Sequence, residues 1–149
     1  MSKQELRIAT GSVTNTVIFI VFLIIIIGLY QDGRFDGDGA GRLVGQSVLI
    51  LIGAQIVGNI VVAILTAISR AIITGEEEEP DITDERDKLI ELRALRLTFI
   101  LFGVAFVGTA VALSLGAALF TAFLMIIIAF AVSDLVGNAL RLVLYRRGF

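Results

Sequence analysis

The chain has 149 residues, of which 57% are hydrophobic, and a formal net charge of −2. It contains no cysteine and no histidine, which excludes disulfides, thiolate chemistry, zinc sites built from Cys and His, and imidazole acid–base catalysis. Soluble domains are usually about 45–50% apolar, so the excess of apolar residues indicates a membrane protein. We expect no enzymatic activity, no cofactor and no metal site.

Four long apolar runs predict four membrane-spanning helices. They cover residues 13–30, 43–69, 95–115 and 117–145, and each supplies the roughly 20 apolar residues that cross about 30 Å of hydrocarbon. The runs lack the polar face that a helix of a soluble protein presents to water. The expected fold class is therefore all-α, an integral membrane four-helix bundle that forms a single domain in contact with the lipid bilayer.

The loop after the first span, "QDGRFDGDGAGR", partly resembles a calcium-binding loop. Asp36 and Asp38 have the spacing of the first ligands. The pattern fails later, because Ala40 stands at the fifth position and Ser47 at the twelfth, where Glu is needed. A Gly-rich turn is the preferred interpretation.

Residues 71–94 are predicted to form a cytoplasmic acidic loop and the start of the third helix. Pro80 should stop the second helix, and Asp81 or Thr83 should cap the third. A charged motif follows, and basic residues close the fourth span: Asp84, Glu85, Arg86 and Asp87, then Arg146 and Arg147. The carboxylates would either clamp the basic helix ends across the bundle or form a solvated helix start, since exposed ion pairs contribute little.

The distribution of Lys and Arg predicts the orientation of the chain. Ten of these residues fall on one side of the predicted spans, and only Arg34 and Arg42 fall on the other. Cytoplasmic segments carry the excess of basic residues. We therefore expect both termini in the cytoplasm and a location in a bacterial or archaeal cytoplasmic membrane.

The tripeptide Val-Gly-Asn occurs late in both the second and the fourth span. A shift of 79 residues superimposes Val57–Asn59 on Val136–Asn138, and Gln55 on Asp134. Duplication would give two parallel-repeat helical hairpins related by a pseudo-two-fold axis along the membrane normal. Chance is the alternative explanation for so short a match.

Small residues mark two candidate packing faces. The first joins spans two and four through Ala54, Gly58, Ser133 and Gly137, because small residues let helix backbones approach closely in lipid. This contact would place Asn59 beside Asn138. The second is a ridge on span three, formed by Gly108, Ala112 and Gly116, which would pack inside the bundle or form a homodimer seam.

Polar side chains inside the spans form the only candidate site. The cluster consists of Gln55, Asn59, Asp134 and Asn138. Asp134 is the one acid inside any span, and such a charge costs about 3 kcal/mol at mid-helix on insertion scales. One interpretation is interhelical hydrogen bonding, worth about 0.6 kcal/mol per contact, with a local contact of Asp134 to Asn138 or Arg141. The other is an ion or proton site.

Two segments, "TDERDKLIELRALR" and "LYRRGF", resemble a known family. It consists of small bacterial and archaeal membrane proteins catalogued as a domain of unknown function. The resemblance rests on Asp84–Asp87 and Tyr145–Gly148 and covers mainly the second half of the chain. It implies four spans and no particular activity.

Two functional interpretations follow from these patterns. The first is a non-enzymatic structural, accessory or regulatory subunit, acting alone, as a homo-oligomer or in a larger membrane complex. The second is a small ion- or proton-coupled transporter or channel that uses the intramembrane polar cluster. Nucleic-acid binding is not expected, because the basic residues only flank the membrane.

Overall fold

The computed structural model describes residues 3–37, 39–74 and 84–147. Four helices account for nearly all of them: α1 (Lys3–Gln31), α2 (Ala40–Thr74), α3 (Glu85–Ser114) and α4 (Leu119–Arg146). Each is long and apolar enough to cross a membrane, which confirms the all-α, four-helix prediction. The residues Asp38, Pro80, Asp81, Thr83 and Gly148, to which the sequence assigned roles, lie outside the described ranges.

Two helices begin well before the apolar runs that predicted them. α1 starts at Lys3, about ten residues before its apolar run, because backbone hydrogen bonding continues past the lipid-facing stretch. α3 starts at Glu85, within the segment for which the sequence predicted the start of the third helix. Asp84 caps α3, since its side chain accepts a hydrogen bond of 2.7 Å from the Glu85 amide. The first-turn acids, Glu85 and Asp87, then lie at the positive end of the helix dipole.

The small-residue ridge on α3 does not pack inside the bundle, and its alternative role as a homodimer seam stays a prediction. Gly116 lies beyond the helix with a φ of +91°, a conformation that glycine adopts without steric cost. Its amide donates to the Leu113 carbonyl, and the next amide donates to the Ala112 carbonyl, both at 3.0 Å, so this turn terminates α3. A side chain added at Gly108 would meet no atom within 4 Å. Gly116 is therefore a turn residue, and Gly108 is exposed.

The helices form an open arc in the order α2, α1, α4, α3. α1 packs on α2, α4 packs on α3, and α1 and α4 join the two hairpins. In the described part of the chain no other pair of helices makes more than marginal contact. The arc is therefore open between α2 and α3.

The predicted contact between spans two and four is wrong. Gly58 faces Thr14 and Ile18 of α1, and Gly137 faces Thr98 of α3. Each glycine therefore packs against the preceding helix of its own hairpin, which is the antiparallel neighbour. Of the other two residues assigned to the contact, Ser133 is buried and Ala54 is exposed.

The end of the bundle that carries the α1–α2 and α3–α4 loops is filled by apolar side chains; we call it the loop end. The rings of Tyr30 and Phe120 stack with their centroids 4.0 Å apart. Phe35, from the loop after α1, packs against Phe120 and Phe123. The buried core continues inward from this aromatic cluster through Phe22, Ile26, Leu51 and Ile127. The opposite end, which carries both termini, is called the terminal end and contains the polar residues.

Candidate functional site

A polar cavity of about 250 Å³ lies at the terminal end, between α1, α3 and α4. We call it the terminal cavity. Five of its lining residues are formally charged: Arg7, Asp87, Glu91, Asp134 and Arg141. Three acids and two bases therefore face one small space.

The lining follows helical periodicity. On α4, Asp134, Asn138, Arg141 and Tyr145 line the cavity, with the i, i+4, i+7, i+11 spacing of a single helix face. The same spacing on α1 places Gln4 near the rim and Asn15 at depth. The polar stripe on α4 is visible in the sequence once this spacing is applied.

Hydrogen bonds order the wall of the terminal cavity. The Asn138 amide donates to Asp134 Oδ2 at 3.0 Å, one of the two local contacts considered from the sequence. Arg141 Nη1 donates to Asn138 Oδ1 at 3.5 Å. Near the rim, the Gln4 amide donates to Asp87 Oδ2 at 2.8 Å, and Tyr145 interacts with the same carboxylate.

One donor in this wall is unsatisfied. Arg141 Nε is buried and has no hydrogen-bond partner among the described residues. Buried donors without a partner are uncommon and destabilising. The Nε–H group of Arg141 therefore lies inside the wall of the cavity without the hydrogen bond that a buried donor usually makes.

Asn15 connects the polar residues that the sequence singled out. It accepts a hydrogen bond of 2.6 Å from the amide of Asn59. It also lines a second cavity, of about 130 Å³, together with Gln55 and Asp134; we call this the middle cavity. Asn59 and Asn138 do not meet as expected, because Asn59 bonds to α1 and Asn138 bonds within its own helix.

The sequence reasoning missed Asn15. It lies between two threonines just before the uninterrupted apolar run that starts at Val17, where it looked like the edge of a span. The structure starts α1 at Lys3, so Asn15 lies within about two residues of the helix midpoint. Gln55 and Asn59 on α2 and Asp134 on α4 are equally central in their helices.

A third cavity continues toward the loop end and is almost entirely apolar. It measures about 210 Å³ and is lined by all four helices, with Ile52 of α2 and Phe102 of α3 at its sides. It shares Phe19, Gln55 and Phe130 with the middle cavity. We call it the apolar cavity, and the three cavities together the groove.

The charged motif before α3 contributes one residue to the site. Asp87 lines the terminal cavity, whereas Asp84 caps the helix and Glu85 and Arg86 are exposed. Arg146 and Arg147 are also exposed. Among the described residues, the expected clamp between these acids and the basic end of α4 is not formed; Asp87 contacts Gln4 and Tyr145 instead.

Comparisons with known proteins identify no relative. No family model matches the chain, and neither a curated protein nor a solved structure matches it. The resemblance of Asp84–Asp87 and Tyr145–Gly148 to an uncharacterised family stays a prediction. A function for this chain must therefore be argued from its own geometry.

Proposed function

We propose that the chain is a small, non-enzymatic, multi-pass membrane protein that transports a proton or ion by means of Asp134. The observation that carries the proposal is the position of this carboxylate. It lies halfway along a membrane-spanning helix and lines a polar cavity at the terminal end. Ionisable groups inside spans are rare, and they mark ion and proton pathways when they face a polar cavity.

The surroundings of Asp134 suit reversible binding of a cation or proton. Asn138 donates to only one of its carboxylate oxygens, so the other remains available to a ligand. Asn15 and Gln55 add amide oxygens to the cavity that Asp134 lines, and small hard cations prefer oxygen ligands.

The polar opening of the groove lies at one end. Polar residues line it at the terminal end, whereas the aromatic cluster of Tyr30, Phe35, Phe120 and Phe123 fills the loop end. In alternating access, a fixed central site opens to one side at a time. In the proposed cycle, this conformation would be the one that opens toward the terminal end.

We further propose that the terminal end faces the cytoplasm and that the two hairpins are parallel repeats. The ten basic residues at that end support the orientation. A matched contact supports the repeat, because Thr14 covers Gly58 in one hairpin and Thr98 covers Gly137 in the other. Both threonine hydroxyls also bond to the carbonyl four residues earlier, at 2.9 and 3.1 Å.

Liposome flux measurements test the transport proposal. We expect purified protein to pass protons or monovalent cations, detected with an internal dye, and Asp134→Asn to abolish this flux. Glu85→Gln is the matched control, since it removes one acidic charge at an exposed position outside the groove. Absence of flux in the wild type, or equal flux in Asp134→Asn, would contradict the proposal.

The open side of the arc favours a second candidate function, that of a structural, accessory or regulatory subunit. Only 6% of the α2 and α3 spans is buried, against 28% of the α4 span. Helices at the ends of an open arc offer surfaces to a second copy or another membrane protein. Light scattering of the detergent-solubilised protein tests this second function, because a structural, accessory or regulatory subunit should form a defined oligomer or complex.

A further inference from the structure

We infer that the groove binds a membrane phospholipid whose headgroup carries both a phosphate and an ammonium group. On the proposed function, movement of the proton or ion would then be coupled to an amphiphilic substrate. Only this coupling rests on the proposed function. Lipid binding itself is measured without transport.

The order of polarity along the groove matches a lipid lying in one leaflet. The charged terminal cavity leads into the middle cavity and then into the apolar cavity. From Tyr145 to Ile126, both on α4, the groove extends about 28 Å at 1.5 Å per helical residue. One leaflet occupies about 20 Å, headgroup included, so the groove accommodates the full length of a lipid.

The charges at the terminal end are complementary to a phosphate–ammonium headgroup. Arg141 lines the terminal cavity, and its guanidinium group is well suited to bind phosphate oxygens. Asp87, which interacts with Tyr145 near the rim, and Glu91 line the same cavity and are suited to an ammonium group. A headgroup with phosphate alone would add an anion to a cavity that already holds three acids and two bases.

The open side of the arc gives a lipid its route of access. α2 and α3 do not pack extensively on each other, yet Ile52 and Phe102 border the same apolar cavity. Acyl chains can therefore enter from the surrounding bilayer without separating any packed helices. A small water-soluble zwitterion would use the terminal cavity alone and leave the apolar cavity unfilled.

Native mass spectrometry of the detergent-solubilised full chain tests the inference. The probes are dioleoyl phosphatidylethanolamine and dioleoyl phosphatidylglycerol, added at equal concentration. We expect the ethanolamine lipid to be retained about tenfold more strongly, as one charge-assisted hydrogen bond predicts. Arg141→Gln should reduce retention of both lipids, and Asp87→Asn should reduce the preference between them.

Two tryptophan variants separate groove binding from general lipid association. Ile52→Trp should fill the apolar cavity and reduce retention, although Ile52 is nearly half exposed and tolerates a larger side chain. Ile50→Trp is the matched control, because this residue is more exposed on the same helix and lies outside the cavity. Its lipid retention should equal that of the wild type.

Failure of binding and failure of transport give different results. Wild-type protein that retains the ethanolamine lipid in the groove but shows no flux would contradict the transport proposal alone and would support the inference, because retention is measured without transport. If both lipids are retained equally, and Ile52→Trp retains as much lipid as the wild type, the lipid is bound only to the outer surface of the protein. That result would overturn the inference. Dimers that form in place of lipid adducts would overturn it too, since a second copy would then occupy the groove.

Discussion

Asn59 donates a hydrogen bond of 2.6 Å to the side-chain oxygen of Asn15, and this bond joins α2 to α1 halfway along both helices. The Asn59 amide also donates to the Gln55 carbonyl at 2.8 Å. Amide groups find no hydrogen-bond partners in hydrocarbon, so each of these two side chains provides the partner that the other needs inside the bundle. The pair holds Asn15 where it lines both the terminal and the middle cavity.

This pair predicts a measurable coupling. Asn15→Leu and Asn59→Leu should each lower the free energy of unfolding, and their double-mutant cycle should show a coupling of about 0.6–1.7 kcal/mol. Reversible unfolding in mixed micelles is the measurement. Strictly additive effects would show that the two amides do not stabilise one another.

The two Val-Gly-Asn glycines should differ in their tolerance of alanine. A Cβ at Gly137 would collide with the Thr98 hydroxyl, which is fixed by its bond to Ala94, and would lie 3.6 Å from the Ala94 carbonyl. A Cβ at Gly58 would meet the movable end of the Ile18 side chain. Gly137→Ala should therefore destabilise by about 1–3 kcal/mol, and Gly58→Ala by less.

Gly108→Ala is the control for this comparison. It adds a methyl group in open space, and alanine favours a helix by up to about 1 kcal/mol over glycine. Thermal unfolding in detergent should rank the variants Gly108→Ala, Gly58→Ala, Gly137→Ala from most to least stable. The reverse order for the last two would contradict the close contact between Gly137 and α3.

Engineered cysteines distinguish the observed packing from the one predicted from sequence. Thr98 Cβ lies 3.5 Å from the position of a Cβ at Gly137, within reach of the roughly 3.5–4.5 Å that a disulfide requires. Thr98→Cys with Gly137→Cys should therefore bridge under mild oxidation. Gly58→Cys with Gly137→Cys should not. The chain has no native cysteine, so a gel shift after protease cleavage gives the answer without background.

The sequence predicted the helices better than their partners. Uninterrupted apolar runs such as Val17–Leu29 predict membrane-spanning helices. Hydrocarbon offers backbone groups no hydrogen-bond partner, and a helix satisfies these groups internally. Which helices pack together depends on which neighbour fits beside each small residue. The spacing of small residues around Gly137 is the same whether that residue faces α2 or α3, so the sequence does not distinguish the two. The site is predictable in part. Asp134 and Asn138 stand out as polar residues inside a span, whereas Asn15 precedes the uninterrupted apolar run and looks like a residue at the start of a span.

The orientation gives a separate prediction. If the basic end of the bundle is cytoplasmic, an alkaline phosphatase fused after Phe149 should be inactive and a fluorescent protein at the same position should fold. A fusion of the phosphatase within the loop at Gly37 should instead be active. An active phosphatase after Phe149 would invert the topology and place the terminal cavity on the outer side.

The last prediction separates the structural from the functional role of Asp134. In Asp134→Asn the new amide oxygen still accepts the hydrogen bond that Asn138 donates, and the cost of a charge inside the span disappears. The variant should therefore unfold at the same temperature as the wild type or slightly above it. Asn138→Leu removes the donor and leaves the carboxylate without that bond, so it should destabilise by about 1 kcal/mol or more. A clear loss of stability in Asp134→Asn would mean that the negative charge itself holds the helices together, through Arg141 or Arg7 across the terminal cavity, and that Asp134 is a structural residue.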